Sequence, residues 1–242
     1  MDFAKWAELK HIKQLIMEHY HSIPRIQDDS TLLGEEIWAF NKLDGQNFCV
    51  KYIPKKKEFG PFGSRKRLVD ETDDQFGDTV KFFKNSQIPN ELIKLVNDNS
   101  GKKGVFSNVQ EVTFFFEWWG EHSFAGVHDP NDKMHLTLID VKLKKKGYIE
   151  PKQFYEIFGN NYVIEIPELI YRGKLYHEFV VDIWNNNWTH SNAKYPSVKE
   201  GVVCKRSSML KGQRLPYVKF KTNWWINELH MKYDDETCKK LE

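Results

Sequence analysis

Residues 109–119, read from Gln110 as QEVTFFFEWW, are the most strand-like stretch of the chain. Aromatic and β-branched residues suit a pleated, half-buried surface and lose side-chain freedom in a helix. Within its aromatic part, Phe114 to Trp119, a carboxylate, Glu117, interrupts the run. An unpaired carboxylate among aromatic rings is costly, so Glu117 implies a purpose. Met134–Leu143 is a second strong strand. Strict alternation puts Leu136, Leu138 and Asp140 on one face and His135, Thr137, Ile139 and Val141 on the other. Ile37–Phe40 and Phe48–Ile53 read as two strands around a Gly45 turn, and residues 54–78 as a polar hairpin plus loop. Gly201–Lys205 and Tyr217–Lys221 are short strands separated by a basic connection.

Helices are expected over 3–20, where Trp6, Leu9, Ile12 and Ile16 recur at helical spacing, and over Pro89–Val96 and 174–184. Another is expected over Pro151–Phe158, with Pro151 at its first position and Gly159 just past its end. Residues 185–197 read as a polar loop, and a turn or two of helix is expected after Thr222. The fold class implied is α+β with antiparallel sheets. No internal linker marks a second domain, so 1–242 reads as one domain, with a helical extension over 1–35 and a short tail over 222–242.

Composition narrows the function classes. Aromatic residues make up 14% of the chain and charged residues 29%, which describes a folded chain with a polar surface. The 36 basic and 34 acidic residues nearly balance, so any nucleic-acid partner must be met by a local basic face. Lys55–Lys57, Lys142–Lys146 and Lys205–Lys211 are candidates for such a face, or are simply solvated. Cys49, Cys204 and Cys238 match no zinc spacing and suggest a reducing compartment. His122, His128 and His135 also lack metal-ligand spacing, and Trp224-Trp225 reads as packing for the tail. With neither a signal-like N-terminus nor an apolar run of membrane length, a soluble intracellular protein is expected.

The chemistry is carried by short motifs in a fixed order. Lys42-Leu43-Asp44-Gly45-Gln46-Asn47 lies between two strands; alone it would be a turn with a solvated lysine. It is followed by Ser64-Arg65-Lys66-Arg67, Phe116-Glu117-Trp118-Trp119-Gly120, Leu138-Ile139-Asp140-Val141, Glu200-Gly201-Val202-Val203-Cys204-Lys205 and Val218-Lys219-Phe220-Lys221. In that order the set resembles motifs I, Ia, III, IIIa, IV and V of the covalent nucleotidyltransferase superfamily, which comprises RNA ligases, DNA ligases and messenger-RNA capping enzymes. The resemblance runs from residue 42 to residue 221.

The resemblance implies that Lys42 is the nucleophile that takes AMP from ATP. A lysine at its ordinary pKa is almost wholly protonated, so desolvation or nearby positive charge must release the proton. Lys219 and Lys221 share one strand face and would offset charge on the α-phosphate. Glu200 would hold a divalent metal, Mg²⁺ or Mn²⁺. Nucleotide contacts are implied for Asn41, Asp44, Asn47, Arg65, Glu117, Ile139 and Lys205. Glu117 is the candidate ribose acceptor, with Glu121 as its rival, and Arg67 rivals Arg65. Ile139 stands where RNA ligases often carry an aromatic that stacks on adenine. Asn47 stands where DNA ligases and capping enzymes usually carry arginine, which makes the chain similar to T4-type and RNA-editing ligases.

The resemblance further implies an ATP-grasp-like nucleotidyltransferase domain: two antiparallel sheets flanked by helices, with the nucleotide between them. The residues after Lys221 are too few for the five-stranded oligonucleotide-binding barrel of DNA ligases and capping enzymes. A homodimer or an accessory partner would replace it. The expected function is ATP-dependent joining of 5′-phosphate and 3′-hydroxyl RNA ends. The alternatives are a minimal DNA nick ligase, a capping guanylyltransferase and a non-catalytic RNA-binding relative. Retention of Lys42 argues against the last, because binding alone needs no nucleophile.

Overall fold

The computed structural model describes residues 20–208 and 216–241. The helix expected over 3–20 lies outside them except for Tyr20, as does most of the basic connection after Lys205. Among the described residues ten strands form two sheets. They are β1 (Glu36–Lys42), β2 (Gln46–Ile53), β3 (Glu58–Ser64), β4 (Leu68–Val69), β5 (Val112–Gly120), β6 (Met134–Leu143), β7 (Gly147–Tyr148), β8 (Leu169–Lys174), β9 (Gly201–Arg206) and β10 (Tyr217–Lys221). One sheet has the order β10-β9-β1-β8 and the other β4-β3-β2-β5-β6-β7. The strand pairings are antiparallel throughout.

The helices are α1 (Gly77–Asn85), α2 (Ile88–Asp98), α3 (Pro151–Phe158), α4 (His177–Trp184), α5 (Asn223–Lys232) and α6 (Asp235–Leu241). Phe48, Val50 and Tyr52 of β2 and Phe114, Phe116 and Trp118 of β5 point to one face of the larger sheet. They pack there on Val80 and Phe83 of α1, Leu92 and Val96 of α2, and Phe154 and Phe158 of α3. Each such side chain contributes about 1.5–3 kcal/mol by leaving water. On the smaller sheet Ile37, Ala39, Val202, Cys204, Val218 and Phe220 bury against Phe179 and Ile183 of α4. The period of two therefore leaves Lys42, Val203, Lys205, Lys219 and Lys221 facing the other way, toward the larger sheet.

Several expectations are corrected. The two strands around the Gly45 turn are present, but β1 and β2 belong to different sheets, and residues 43–45 carry the chain from one to the other. On β6 the alternation breaks at a bulge, with Phe115 opposite Asp140 but Phe116 opposite Leu138. The extra residue turns Val141 onto the core side with Leu138, and Asp140 joins Ile139 on the cavity side. The tail is more helical than expected: α5 opens on Thr222, whose hydroxyl accepts from Trp225 N at 3.1 Å, and α6 folds back with Cys238 buried against Leu229. Among the described residues these two helices, and no barrel, follow β10.

Candidate active site

Between the sheets lies a cavity of about 740 Å³. It is lined by Lys42, Asn41, Asp44, Asn47, Arg65, Glu117, Ile139, Glu200, Lys205, Lys219 and Lys221, which brings every motif-selected residue to one place. Lys42 ends β1 and pairs with Gly201, so Glu200 stands beside it. Two glycines permit this closeness. A Cβ on Gly201 would lie 2.2 Å from the Phe220 carbonyl oxygen, and its φ of +154° disfavours other residues. A Cβ on Gly45 would lie 2.4 Å from the Trp118 carbonyl oxygen, so only glycine lets the Lys42–Gly45 turn rest on β5.

The centre of the site is a shared carboxylate. Glu200 Oε1 accepts from Lys42 Nζ at 2.9 Å and Lys221 Nζ at 3.1 Å. Glu200 Oε2 is buried and takes no hydrogen bond from a described residue. Burial works to raise the Glu200 carboxyl, but Lys42 and Lys221 overcome it and hold it below the usual range. Burial likewise works to lower Lys42, yet Glu200, Glu117 and Asp44 together raise it. Desolvation, one of the two means expected from the sequence for releasing that lysine's proton, is thus outweighed at Lys42 by its carboxylate neighbours. Carboxylates outweigh cations around it, so in the nucleotide-free protein it is an ammonium ion. Burial, with Lys42 and Lys221 beside it, pushes Lys219 down to about 8. Burial also lowers Lys221, whose Nζ lies 3.6 Å from the Trp225 ring centroid.

Residues 35–221 match the family model described as RNA ligase. The chain belongs to the RNA ligase family. Its fold is similar to solved structures of Naegleria gruberi RNA ligase. One is an apo variant, with 14% identity and a TM-score of 0.60, covering 89% of this chain and 58% of that one. Another is a variant with ATP and Mn, with 17% identity and a TM-score of 0.58, covering 88% and 57%. A third carries PPi, with 16% identity and a TM-score of 0.53, covering 89% and 59%. The chain thus spans less than two thirds of the length of the ligases it resembles. No curated protein sequence matches it.

Within this RNA ligase family member, geometry separates the rival residues. Glu117 lines the cavity, and burial pushes it up to about 8, with Lys42 opposing and Glu200 and Asp44 adding. Glu121 is exposed on the turn after β5 and is not among the lining residues. Arg67 is tied to Asp73 through both guanidinium nitrogens. Both arginines line the cavity, and Arg65 makes no ion pair with a described residue.

Other residues reach the cavity wall but are already engaged. Asp44 accepts from Ala125 N, from Gly126 N at 2.7 Å and from Trp225 Nε1 at 3.2 Å, which fixes a loop and α5 to the Lys42 turn. Lys205 donates to the Ile139 carbonyl at 2.6 Å and to Asp140 at 3.0 Å. Asn41 Nδ2 donates to the Ser197 carbonyl at 2.9 Å and Asn47 Nδ2 to the Phe116 carbonyl at 3.3 Å. Their Oδ1 atoms are buried without a partner among the described residues. Residues outside the motifs also line the cavity, among them Arg25 and, on α6, Lys239 and Lys240, which only the folded tail reveals.

The site fits a divalent ion of the magnesium type. Such an ion keeps several waters and takes one or two carboxylates together with substrate phosphates. The orphaned Oε2 of Glu200 supplies one such oxygen. Among the described residues no group of three or more His, Cys, Asp or Glu side chains is placed to hold a metal ion. Nor is any described helix long and apolar enough to cross a membrane.

Proposed function

We propose that this chain is the adenylyltransferase part of an ATP-dependent RNA ligase and acts through a lysyl-AMP intermediate. The observation that carries this reading is the convergence of Lys42, Glu200, Glu117, Lys219 and Lys221 on one nucleotide-sized cavity. Family membership supports RNA over DNA ends, and the ATP and Mn bound by the similar Naegleria ligase support both nucleotide and metal.

In this reading Lys42 leaves its ion pair and gives its ammonium proton to water. The neutral amine forms the N–P bond at the α-phosphorus. The bond from that phosphorus to the bridging oxygen breaks, and pyrophosphate leaves with the electron pair. The amine's second proton passes to water. Lys219 and Lys221 offset charge on the α-phosphate oxygens. Glu200 would hold Mg²⁺ or Mn²⁺, which when bound neutralises phosphate charge and favours loss of the Lys42 proton. Glu117, carrying its proton at neutral pH, can both donate to and accept from a ribose hydroxyl. Ile139 packs against the base, and Lys205 positions it by holding the Ile139 carbonyl. The AMP would then pass to an RNA 5′-phosphate, and a 3′-hydroxyl would displace it. The three cysteines Cys49, Cys204 and Cys238 are all buried, which suits an intracellular, reducing setting.

The test is covalent labelling with α-labelled ATP and Mg²⁺, read after denaturation. Label is expected on the wild-type chain and none on Lys42→Ala, whose fold should be unchanged. Label from GTP alone would replace this reading with the capping reaction. A folded, metal-supplied wild-type chain that takes no label would sink it.

A further inference from the structure

The motif residues account for the α-phosphate, but two of the cations there are spoken for. Lys42 and Lys221 share one oxygen of Glu200. A nucleoside triphosphate brings further charge on its outer phosphates, which needs partners beyond this pair. The structure offers them on α6. Lys239, Lys240 and Leu241, all in its last turn, line the same cavity as Lys42. The Leu241 carbonyl accepts from Lys221 Nζ at 2.7 Å. That carbonyl oxygen occupies a position on Lys221 that a phosphate oxygen would suit equally well. Lys239 makes no ion pair with a described residue, and Lys240 holds only the exposed Glu236, one turn back, at 2.7 Å.

The placement of α6 is built in. Trp225 of α5 is bonded to Asp44 in the Lys42 turn, and its ring covers Lys221. Cys238 of α6 is buried on α5, its Sγ 3.6 Å from the Leu229 carbonyl. The chain therefore carries α6 to the phosphate end of the cavity by contacts to the nucleophile's own turn. Lysines in a last turn commonly offset the helix dipole; here the same lysines also line the cavity.

We propose that Lys239 and Lys240 bind the β- and γ-phosphates of the nucleotide, so that α6 forms the outer wall of the triphosphate site and steadies the departing pyrophosphate. This rests on the nucleotide reading above. On binding, phosphate oxygens replace the Leu241 carbonyl at Lys221, and the two lysines meet the outer phosphates.

The experiment is calorimetric titration of ATP and of AMP, with Mg²⁺, into full-length Lys42→Ala protein, where no covalent step follows binding. Adding Lys239→Ala and Lys240→Ala should weaken ATP by about tenfold, as charge-assisted contacts of about 1.4 kcal/mol in total would, and leave AMP unchanged. Lys239→Arg with Lys240→Arg should restore ATP affinity. Alanine is a better helix former than lysine, so α6 should persist. Unchanged ATP affinity would overturn the proposal and leave the nucleotide reading standing. Parallel losses for ATP and AMP would also overturn it, by reducing α6 to a packing element. A Lys42→Ala parent that binds neither nucleotide would remove the nucleotide reading and this proposal with it.

Discussion

Two lysine–carboxylate clusters lie between the sheets, and they differ in what is left unsatisfied. In one, Asp140 accepts from Lys205 at 3.0 Å, from the Tyr20 hydroxyl at 3.2 Å and from Val141 N at 3.0 Å. Lys205 also bonds the Ile139 carbonyl and lies 5.1–5.5 Å from the ring centroids of Phe40, Phe154 and Tyr217. In the other, one oxygen of Glu200 serves two lysines and its second oxygen serves none. Lys42 is also 22% exposed, against 5% for Lys205. The same residue types thus make a closed pair that fixes the backbone beneath Ile139 and an open one with capacity for a ligand. The lesson is that the lysine to suspect of chemistry is the one whose partner is incompletely satisfied.

Breaking each cluster should separate them. Lys205→Met strands a buried Asp140, and removing one member of a buried pair costs about 3–5 kcal/mol. The loss should appear in urea unfolding at neutral pH. Adding Asp140→Leu should recover most of it, because an apolar pair needs no solvation. A loss under about 1 kcal/mol would dissolve the contrast and return Lys205 to the nucleotide contacts. Glu200→Gln should behave in the opposite sense. Its loss in urea should be smaller than that of Lys205→Met, because Lys42 opens to the cavity and water can solvate it. Its rate of covalent labelling should fall by about a hundredfold, a typical result of removing one preorganised charge from a transfer site. Equal stability losses in the two variants would mean that both clusters are structural.

The sequence reveals these clusters unequally. The alternation on β1, β9 and β10 places Lys42, Lys205, Lys219 and Lys221 on one face, because regular strands have a period of two. Asp140 is misplaced by that same rule, since a bulge at Phe115–Phe116 leaves no trace in residue types. β8 is missed because Leu169–Lys174 is a partly exposed edge strand containing Gly173. α1 is hidden in a polar stretch with only Val80 and Phe83 as buried large apolar anchors. For Lys239 and Lys240 nothing local distinguishes a cavity wall from a solvated helix end. Their position follows from Trp225 and Cys238, whose contacts are long-range.

The smallest expected effect tests the open cluster through its pH dependence. Glu117 makes no hydrogen bond with a described residue, and burial pushes it up to about 8. In the unfolded chain a glutamate ionises near its ordinary value of about 4.3. Between those values the native state binds a proton that the unfolded state has lost, so stability must fall as pH rises through the window. The contribution is fully present below the lower value. Asp44, raised by burial and Glu200 to about 6, adds the same sign over a narrower range. Glu117→Gln keeps the shape and carries no titrating group. Its melting temperature should therefore decline less between pH 5 and 8 than that of the wild type, with the Asp44 portion remaining below pH 6. Parallel melting curves for the two proteins across that range would mean that Glu117 ionises normally, and that water reaches the floor of the cavity as freely as its mouth.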